Sequence, residues 1–375
     1  MSNLKYVFLS AAIICIFCGA HYYLARCLCL CIQPFIPKFR IVYALIILIL
    51  LSAAMVLSVA RPFSGIPQRI ISVIGTVWMG LIVYLLLFSA AADLASLIAK
   101  LFPQAPQKLR LALHLCAFFL AIITVVLGFL HANRIRTVNY SVSLSENPKS
   151  QMKLVLISDI HLGAVNSEAR LKKTVEAVNK QNPDLICIAG DIFDNNYSAI
   201  INPEEVANTL KQFSSTYGVY ACLGNHDSGA ELDKMLSLLD NSGINLLRDE
   251  YAVIDGRLVV VGRNDPFPIG GSKNRQDLSE IIPKTAFGLP SVVLDHNPGN
   301  LNEYCEKNVL ILSGHTHKGQ IFPGSLITNA LFEVDHGYLK TENGTQMIVT
   351  SGAGTWGLPI RVGTDCEIAA INLSY

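Results

Sequence analysis

The chain has 375 residues, 51% of them hydrophobic and only 15% charged, with a formal net charge of +1. That is too apolar for an ordinary water-soluble chain of this length and excludes a disordered one. Residues 1–140 hold eleven Lys/Arg and one acid, Asp93, whereas residues 141–375 hold eighteen Lys/Arg and twenty-seven Asp/Glu; the basic charge therefore sits among apolar runs, and no nucleic-acid partner is expected.

A bilayer core about 30 Å thick requires about 20 apolar helical residues. Four stretches qualify, near residues 4–25, 41–60, 70–92 and 109–130. The second, IVYALIILILLSAAMVLSVA, is uncharged and bracketed by Lys38, Arg40 and Arg61. A cleaved signal peptide can account for the first stretch only. Residues 1–140 are thus expected to form a four-helix transmembrane anchor, and the protein a multi-pass component of the cell membrane with the bilayer as partner.

Basic residues do not orient these spans: Lys5, Arg61, Arg69, Arg134 and Arg136 fall on one side, and Arg26, Lys38, Arg40, Lys100, Lys108 and Arg110 on the other. Asp93 and His114 lie within or beside spans, but with no partner pattern between them the helices read as an anchor rather than an ion path. Six of ten cysteines fall in or beside these stretches. Cys27, Cys29 and Cys31 alternate with no His or acid close in sequence to complete a metal site. Cys187, Cys222, Cys305 and Cys366 have no evident pairing, which fits a reducing compartment and a cytoplasmic domain at residues 141–375.

From Lys153 onward, short β-branched runs alternate with amphipathic stretches, the signature of an α/β domain. Strands are expected at 153–158, 184–189, 218–223, 257–262, 291–295, 308–313, 347–352 and 367–373. Helices are expected at Ser167–Asn182, Glu204–Phe213 and Ala230–Leu239. Five apolar runs stop abruptly at a polar cluster: SDIH (158–161), GDIFD (190–194), GNHD (224–227), LDHNP (294–298) and GHTH (314–317). Ligand sites in open α/β sheets lie beyond the carboxyl ends of strands, so these endings can converge on one crevice.

The clusters supply Asp159, His161, Asp191, Asn225, His226, His296, His315 and His317. Carboxylate, amide and imidazole ligands without thiolates suit two first-row divalent ions such as Mn, Fe or Zn better than Ca. Paired cations clamp the attacking and leaving oxygens of an in-line phosphoryl displacement, so hydrolysis of a phosphate ester is expected.

In their order, D-x-H, G-D-x-x-D, G-N-H-D, a lone His and G-H-x-H resemble the calcineurin-like metallophosphoesterases over roughly residues 150–375. The resemblance implies a two-sheet β-sandwich flanked by helices. It implies that Asp159, His161 and His317 hold one metal, that Asp191 bridges, and that Asn225, His296 and His315 hold the second. It also implies that His226 protonates the leaving oxygen, that Asp227 orients His226, and that Asp194 supports the ligands from behind. The tail SGAGTWGLPIRVGTDCEI (351–368) is similar to the membrane-anchored branch containing the transmembrane protein with metallophosphoesterase domain, parts of which are linked to hydrolysis of UDP-2,3-diacylglucosamine, a lipid A precursor. In that tail Arg361 can either fork onto a phosphate or form a surface ion pair. Lys318 departs from the Gly common in relatives and brings a cation near the site. The expected activity is that of a manganese-type phosphodiesterase or diphosphatase of lipid metabolism, acting on a phosphorylated lipid or small-molecule phosphoester; the alternatives are a membrane-tethered nucleotide phosphodiesterase, and a transporter or sensor with a regulatory phosphoesterase domain.

Overall fold

In the computed structural model, residues 2–63, 65–102, 108–165, 168–271, 275–281, 288–304 and 308–375 are described. Cys305 and Ser167, the first residue of an expected helix, lie outside them. The chain divides into two units, one of Met1–Phe63 with Ile70–Gly128 and one of Ser64–Arg69 with Phe129–Tyr375.

Four apolar helices dominate the N-terminal part: α1 (Ser2–Ile32), α2 (Ile41–Ala60), α3 (Gly65–Ala99) and α4 (Leu109–Ala132). All four are long and apolar enough to cross a membrane. Their polar groups find one another, as hydrocarbon requires. Ser52 of α2 contacts His21 Nε2 at 2.7 Å and accepts from Trp78 Nε1 at 2.8 Å, joining three helices. Asp93 and His114 are not isolated, contrary to the sequence reading: His114 Nε2 lies 3.5 Å from the Asp93 carboxylate, which also accepts from Tyr23 and Arg110.

After a two-residue connection the chain enters β1 (Ile135–Ser143), followed by β2 (Gln151–Ile157), α5 (Glu168–Asn179), β3 (Leu185–Ala189), α6 (Pro203–Leu210), β4 (Val219–Cys222), α7 (Leu232–Asn241) and β5 (Asn245–Leu246). The second half comprises β6 (Glu250–Ile254), β7 (Leu258–Gly262), α8 (Leu278–Ile281), β8 (Ser291–Leu294), β9 (Val309–Ser313), α9 (Gly324–Leu331), β10 (Gly337–Lys340), β11 (Gln346–Val349) and β12 (Cys366–Ser374). Two six-stranded mixed sheets result, ordered β1-β12-β2-β3-β4-β5 and β10-β11-β9-β8-β7-β6. β2 through β5 run parallel, as do β7, β8, β9 and β11.

Side-chain alternation builds three apolar layers. Leu154 and Leu156 of β2 join Leu258, Val260, Leu310 and Leu312 of the other sheet between the two sheets. Val155 and Ile157 point the other way, toward Leu171 and Val175 of α5 and Leu238 of α7. Val259, Val261, Val293 and Ile311 form the outer layer of the second sheet. Strands buried on both faces read as unbroken apolar runs, which is why the central ones are visible in the sequence. All eight expected strands are present, along with the α/β two-sheet sandwich and its flanking helices.

Candidate metal centre at the strand ends

Each polar cluster begins where a parallel strand stops. Asp159 and His161 follow β2, Asp191 follows β3, Asn225 and His226 follow β4, His296 follows β8, and His315 and His317 follow β9. The backbone is bent sharply at these positions: φ is +53° at Asp159, +49° at His161, +50° at Asp191, +71° at His315 and +48° at His317. Left-handed geometry at a non-glycine residue costs about 1–3 kcal/mol and persists only where surrounding contacts enforce it. Here the loops lock across strands: Asp159 N–H donates to Gly190 O, His161 N–H to Asp191 O and Gly314 N–H to His296 O, each at 3.0 Å. The motif glycines make this approach possible. A Cβ on Gly224 would strike the Asp191 carboxylate, and one on Gly314 would strike Ser158 and Asp159.

All the expected ligands converge. His161 Nε2 and His317 Nε2 face each other at 3.0 Å, and Asp159 Oδ1 lies 3.7 Å from the first and 3.2 Å from the second. Asp191 Oδ2 is 3.6 Å from His161 Nε2 and 3.2 Å from His296 Nε2. Asn225 Oδ1 is 3.2 Å from His296 Nε2 and 3.0 Å from His315 Nδ1. Asp159, His161, Asp191 and His296 are almost wholly buried. Asp159, His161 and His317 form one group with metal-ligating spacing; Asp159, Asp191 and His296 form another.

Electrostatics follow from this crowding. Burial opposes charge on Asp159, yet His317 and His161 hold its carboxyl well below the usual range. Burial likewise opposes charge on Asp191, and His296 and His161 outweigh it. The rings divide. Burial is outweighed by Asp191 at His296, which is raised, whereas burial prevails at His315 and lowers it to about 4.

His226 stands at the mouth, its ring edge-on to His161 at 5.1 Å and to Trp356 at 5.9 Å. Its backbone N–H donates to Asp191 Oδ1 at 2.8 Å. Burial first, then the His161 and His296 charges, lower it to about 4. The expected orienting contact from Asp227 is not present. Asp227 instead accepts from the backbone N–H of Phe193 at 2.7 Å, Gly224 at 3.0 Å and Ile192 at 3.1 Å. The acid beside the His226 ring is Asp194, 3.9 Å from Nδ1, and the same Oδ1 lies 3.6 Å from His161 Nδ1. Asp227 therefore ties the loop after β3 to the loop after β4. Asp227→Asn places an amide N–H against backbone donors and is expected to destabilise the fold by about 1–3 kcal/mol. Thermal unfolding measures this, and an unchanged midpoint would show that the loops do not depend on the carboxylate.

Arg361 is buried rather than at the surface, and its guanidinium meets backbone carbonyls and, at 3.1 Å, His317 Nδ1. It donates to His317 O at 2.8 Å, Ser351 O at 2.6 Å and Gly354 O at 2.7 Å. Its hydrogen bonds hold the tail loop beneath His317. Lys318 does not line the cleft either. The cleft, about 480 Å³, is bounded instead by Ile269, Gln320, Ile327, Thr328, Phe332 and Trp356 beside the histidines. These wall residues lie on loops and on α9, none of whose eight residues is buried, and no polar cluster marks them in the sequence. Trp356 alone sits within a segment the sequence reading singled out.

The sequence model of the calcineurin-like phosphoesterase family matches residues 152–319. An uncharacterized metallophosphoesterase of Campylobacter jejuni is 32% identical over 301 residues, covering 77% of this chain and 78% of its own. One from Helicobacter pylori is 32% identical over 225 residues, and this match spans 60% of either chain. The zebrafish (Danio rerio) transmembrane protein with metallophosphoesterase domain is 28% identical over 276 residues, covering 68% of this chain and 62% of its own. Every converging Asp, Asn and His falls inside the matched family segment, and the Campylobacter similarity extends well beyond it; the chain belongs to the calcineurin-like phosphoesterase family.

Proposed function

We propose that this protein is a membrane-anchored, dinuclear metal-dependent phosphoesterase that hydrolyses a phosphate ester or diphosphate bond of a lipid-linked substrate, in the manner of a UDP-2,3-diacylglucosamine diphosphatase. The observation that carries the catalytic part is the convergence of imidazole nitrogens on carboxylate and amide oxygens at 3.0–3.7 Å within a buried pocket. His296 Nδ1 meets Ala189 O at 2.8 Å, which turns Nε2 toward Asp191 and Asn225, and this mixed nitrogen and oxygen donor set fits the metals that the family implies. Asp159, His161 and His317 would hold one ion, Asn225, His296 and His315 the other, with Asp191 between them. Mn, Fe and Zn suit this mixed oxygen and nitrogen set.

Two bound cations supply Lewis-acid charge for the phosphoryl oxygens and an acidified water as nucleophile. The remaining work belongs to the chain. His226, at the mouth, would protonate the leaving oxygen; an anionic phosphate beside it would favour the imidazolium, offsetting the burial that otherwise keeps the ring neutral. Asp194, 3.9 Å from Nδ1, would orient that ring by closing to hydrogen-bond distance once the ring is charged.

The lipid part rests on the cleft's rim. On α9, Leu326, Ile327 and Leu331 are 63%, 61% and 73% exposed, and Phe322 and Trp356 are about half exposed. Clustered exposed apolar residues beside a site mark an apolar ligand. With full-length protein in detergent and Mn²⁺, a diacylated nucleotide-linked glycolipid is expected to be cleaved at its diphosphate. Leu326→Ser with Leu331→Ser should raise KM for that lipid roughly tenfold while leaving turnover of bis-p-nitrophenyl phosphate within about twofold, since neither residue lines the cleft that the small ester enters. Equal losses on both would remove the lipid reading. Faster turnover of soluble nucleotide diesters would indicate a tethered nucleotide phosphodiesterase, and no hydrolysis at all a regulatory domain.

We infer a cytoplasmic catalytic domain; the free thiols of its buried Cys187, Cys222 and Cys366 support that reading. A reporter that fluoresces only when folded in the cytoplasm should light up when fused after Tyr375. Activity of a periplasm-type phosphatase fused there would put the domain outside.

A further inference from the structure

The four apolar helices alternate in direction, so the end of α1, the start of α2, the end of α3 and the start of α4 meet at one end of the bundle. A recess of about 570 Å³ opens there, lined by Arg26, Arg40 and Arg110 together with Tyr23, Gln33 and Asp93. Arg26 lies six residues before the end of α1, Arg40 directly precedes α2, and Arg110 is the second residue of α4. At 1.5 Å per residue, all three lie within about 10 Å of a helix end, toward the end of the bundle rather than its middle.

Three guanidiniums meet one carboxylate in this recess, and that carboxylate is already satisfied. Asp93 accepts from Arg110 Nη2 at 2.9 Å and Nε at 3.2 Å through Oδ1, and from the Tyr23 hydroxyl at 2.9 Å through Oδ2. The pair fixes Arg110 through Nε and Nη2, and among the described residues Nη1 has no hydrogen-bond partner. Among the described residues, the side chains of Arg26 and Arg40 have neither a hydrogen bond nor an ion pair. Guanidinium forks that face one cavity without acceptors are matched to a phosphate, and basic pockets between transmembrane helices bind anionic headgroups.

We propose that this recess is a phosphate-binding site for an anionic phospholipid headgroup, with Arg26 and Arg40 as its principal donors and Arg110, oriented by Asp93, as the third. The site belongs to the helical unit alone and does not depend on what the catalytic domain hydrolyses. Its occupant would neutralise the excess charge at that end of the bundle.

Calorimetric titration of the full-length protein in a neutral detergent tests this with three probes: short-chain phosphatidylglycerol, short-chain phosphatidylcholine and glycerol phosphate. Phosphatidylglycerol should bind saturably, one per chain, more tightly than phosphatidylcholine and less tightly as salt rises. The double variant Arg26→Gln, Arg40→Gln should weaken that binding about 30-fold, whereas Lys38→Gln with Lys108→Gln, at the same end but not lining the recess, should change it less than about threefold. Glycerol phosphate binding as tightly as the lipid would assign the same phosphate site to a soluble ligand. Helical circular dichroism checks that the Gln variant is folded, and Arg26→Lys with Arg40→Lys, which keeps charge but loses the forks, should give an intermediate loss if it is not. Unchanged phosphatidylglycerol binding in folded Arg26→Gln, Arg40→Gln protein, or no binding of either phosphate probe to the wild type, overturns the proposal.

Discussion

Asp191→Asn is expected to lose bound divalent metal and hydrolytic activity together, with activity falling by more than about 10²-fold, the upper range for losing a mere supporting partner of a ligand. The two carboxylate oxygens do different things. Oδ1 accepts the His226 backbone N–H at 2.8 Å, which shapes the loop after β4. Oδ2 faces His296 and His161 at 3.2 and 3.6 Å, between the two groups of ligands. An asparagine can keep the first contact through its amide oxygen, so the fold should survive. It cannot supply the negative charge on which both groups of ligands converge, and Asp159, already engaged by the His315 backbone N–H, is not free to replace it. Metal content per chain and turnover should therefore be measured on the same preparation. Two metals per chain with normal turnover in Asp191→Asn would show that Asp191 does not bridge.

How much of this was legible in the sequence depended on burial. β2, β3, β7, β8 and β9 are covered on both faces and appear as unbroken apolar runs ending in a polar cluster. β1, β6 and β10 lie at sheet edges with many half-exposed or exposed residues, so no such run marks them. β1 carries a further disguise: it starts three residues after α4, within what composition alone assigns to the anchor, whose expected boundary is residue 140. The site's donors were legible for the same reason as the strands. Where such a run stops, the polar cluster stands at the strand's carboxyl end, beside the crevice.

Residues that act through the backbone were not legible. Asp227 sits in the same motif as His226, and adjacency suggests that it orients the ring, yet its oxygens are claimed by amides from two different strand-end loops. Asp194, from the loop after β3, is the acid nearest the ring, 3.9 Å from Nδ1. Arg361, open in the sequence between a phosphate contact and a surface ion pair, is instead folded under His317, where it donates to three carbonyl oxygens and to His317 Nδ1. Spacing reveals which groups arrive at a site; only tertiary packing decides what each one faces.

His226→Ala should separate acid catalysis from metal binding, because the ring lines the mouth while its backbone, not its side chain, supports Asp191. Alanine retains that N–H, so metal content is expected to stay near the wild-type level. Activity is expected to fall roughly 10²- to 10⁴-fold on an alkyl phosphate ester, the range for losing a positioned general acid. On a p-nitrophenyl ester the fall should be far smaller, since that leaving group departs as a stable anion and needs little protonation. The side chain is half-buried between His161 and Trp356 with Asp194 behind it, so Asp194→Asn should show the same leaving-group dependence in weaker form if Asp194 orients the ring. An equal loss on both esters in His226→Ala would mean that the imidazole binds substrate or supports the ligands rather than delivering a proton. Loss of metal in that variant would move His226 into the coordination set.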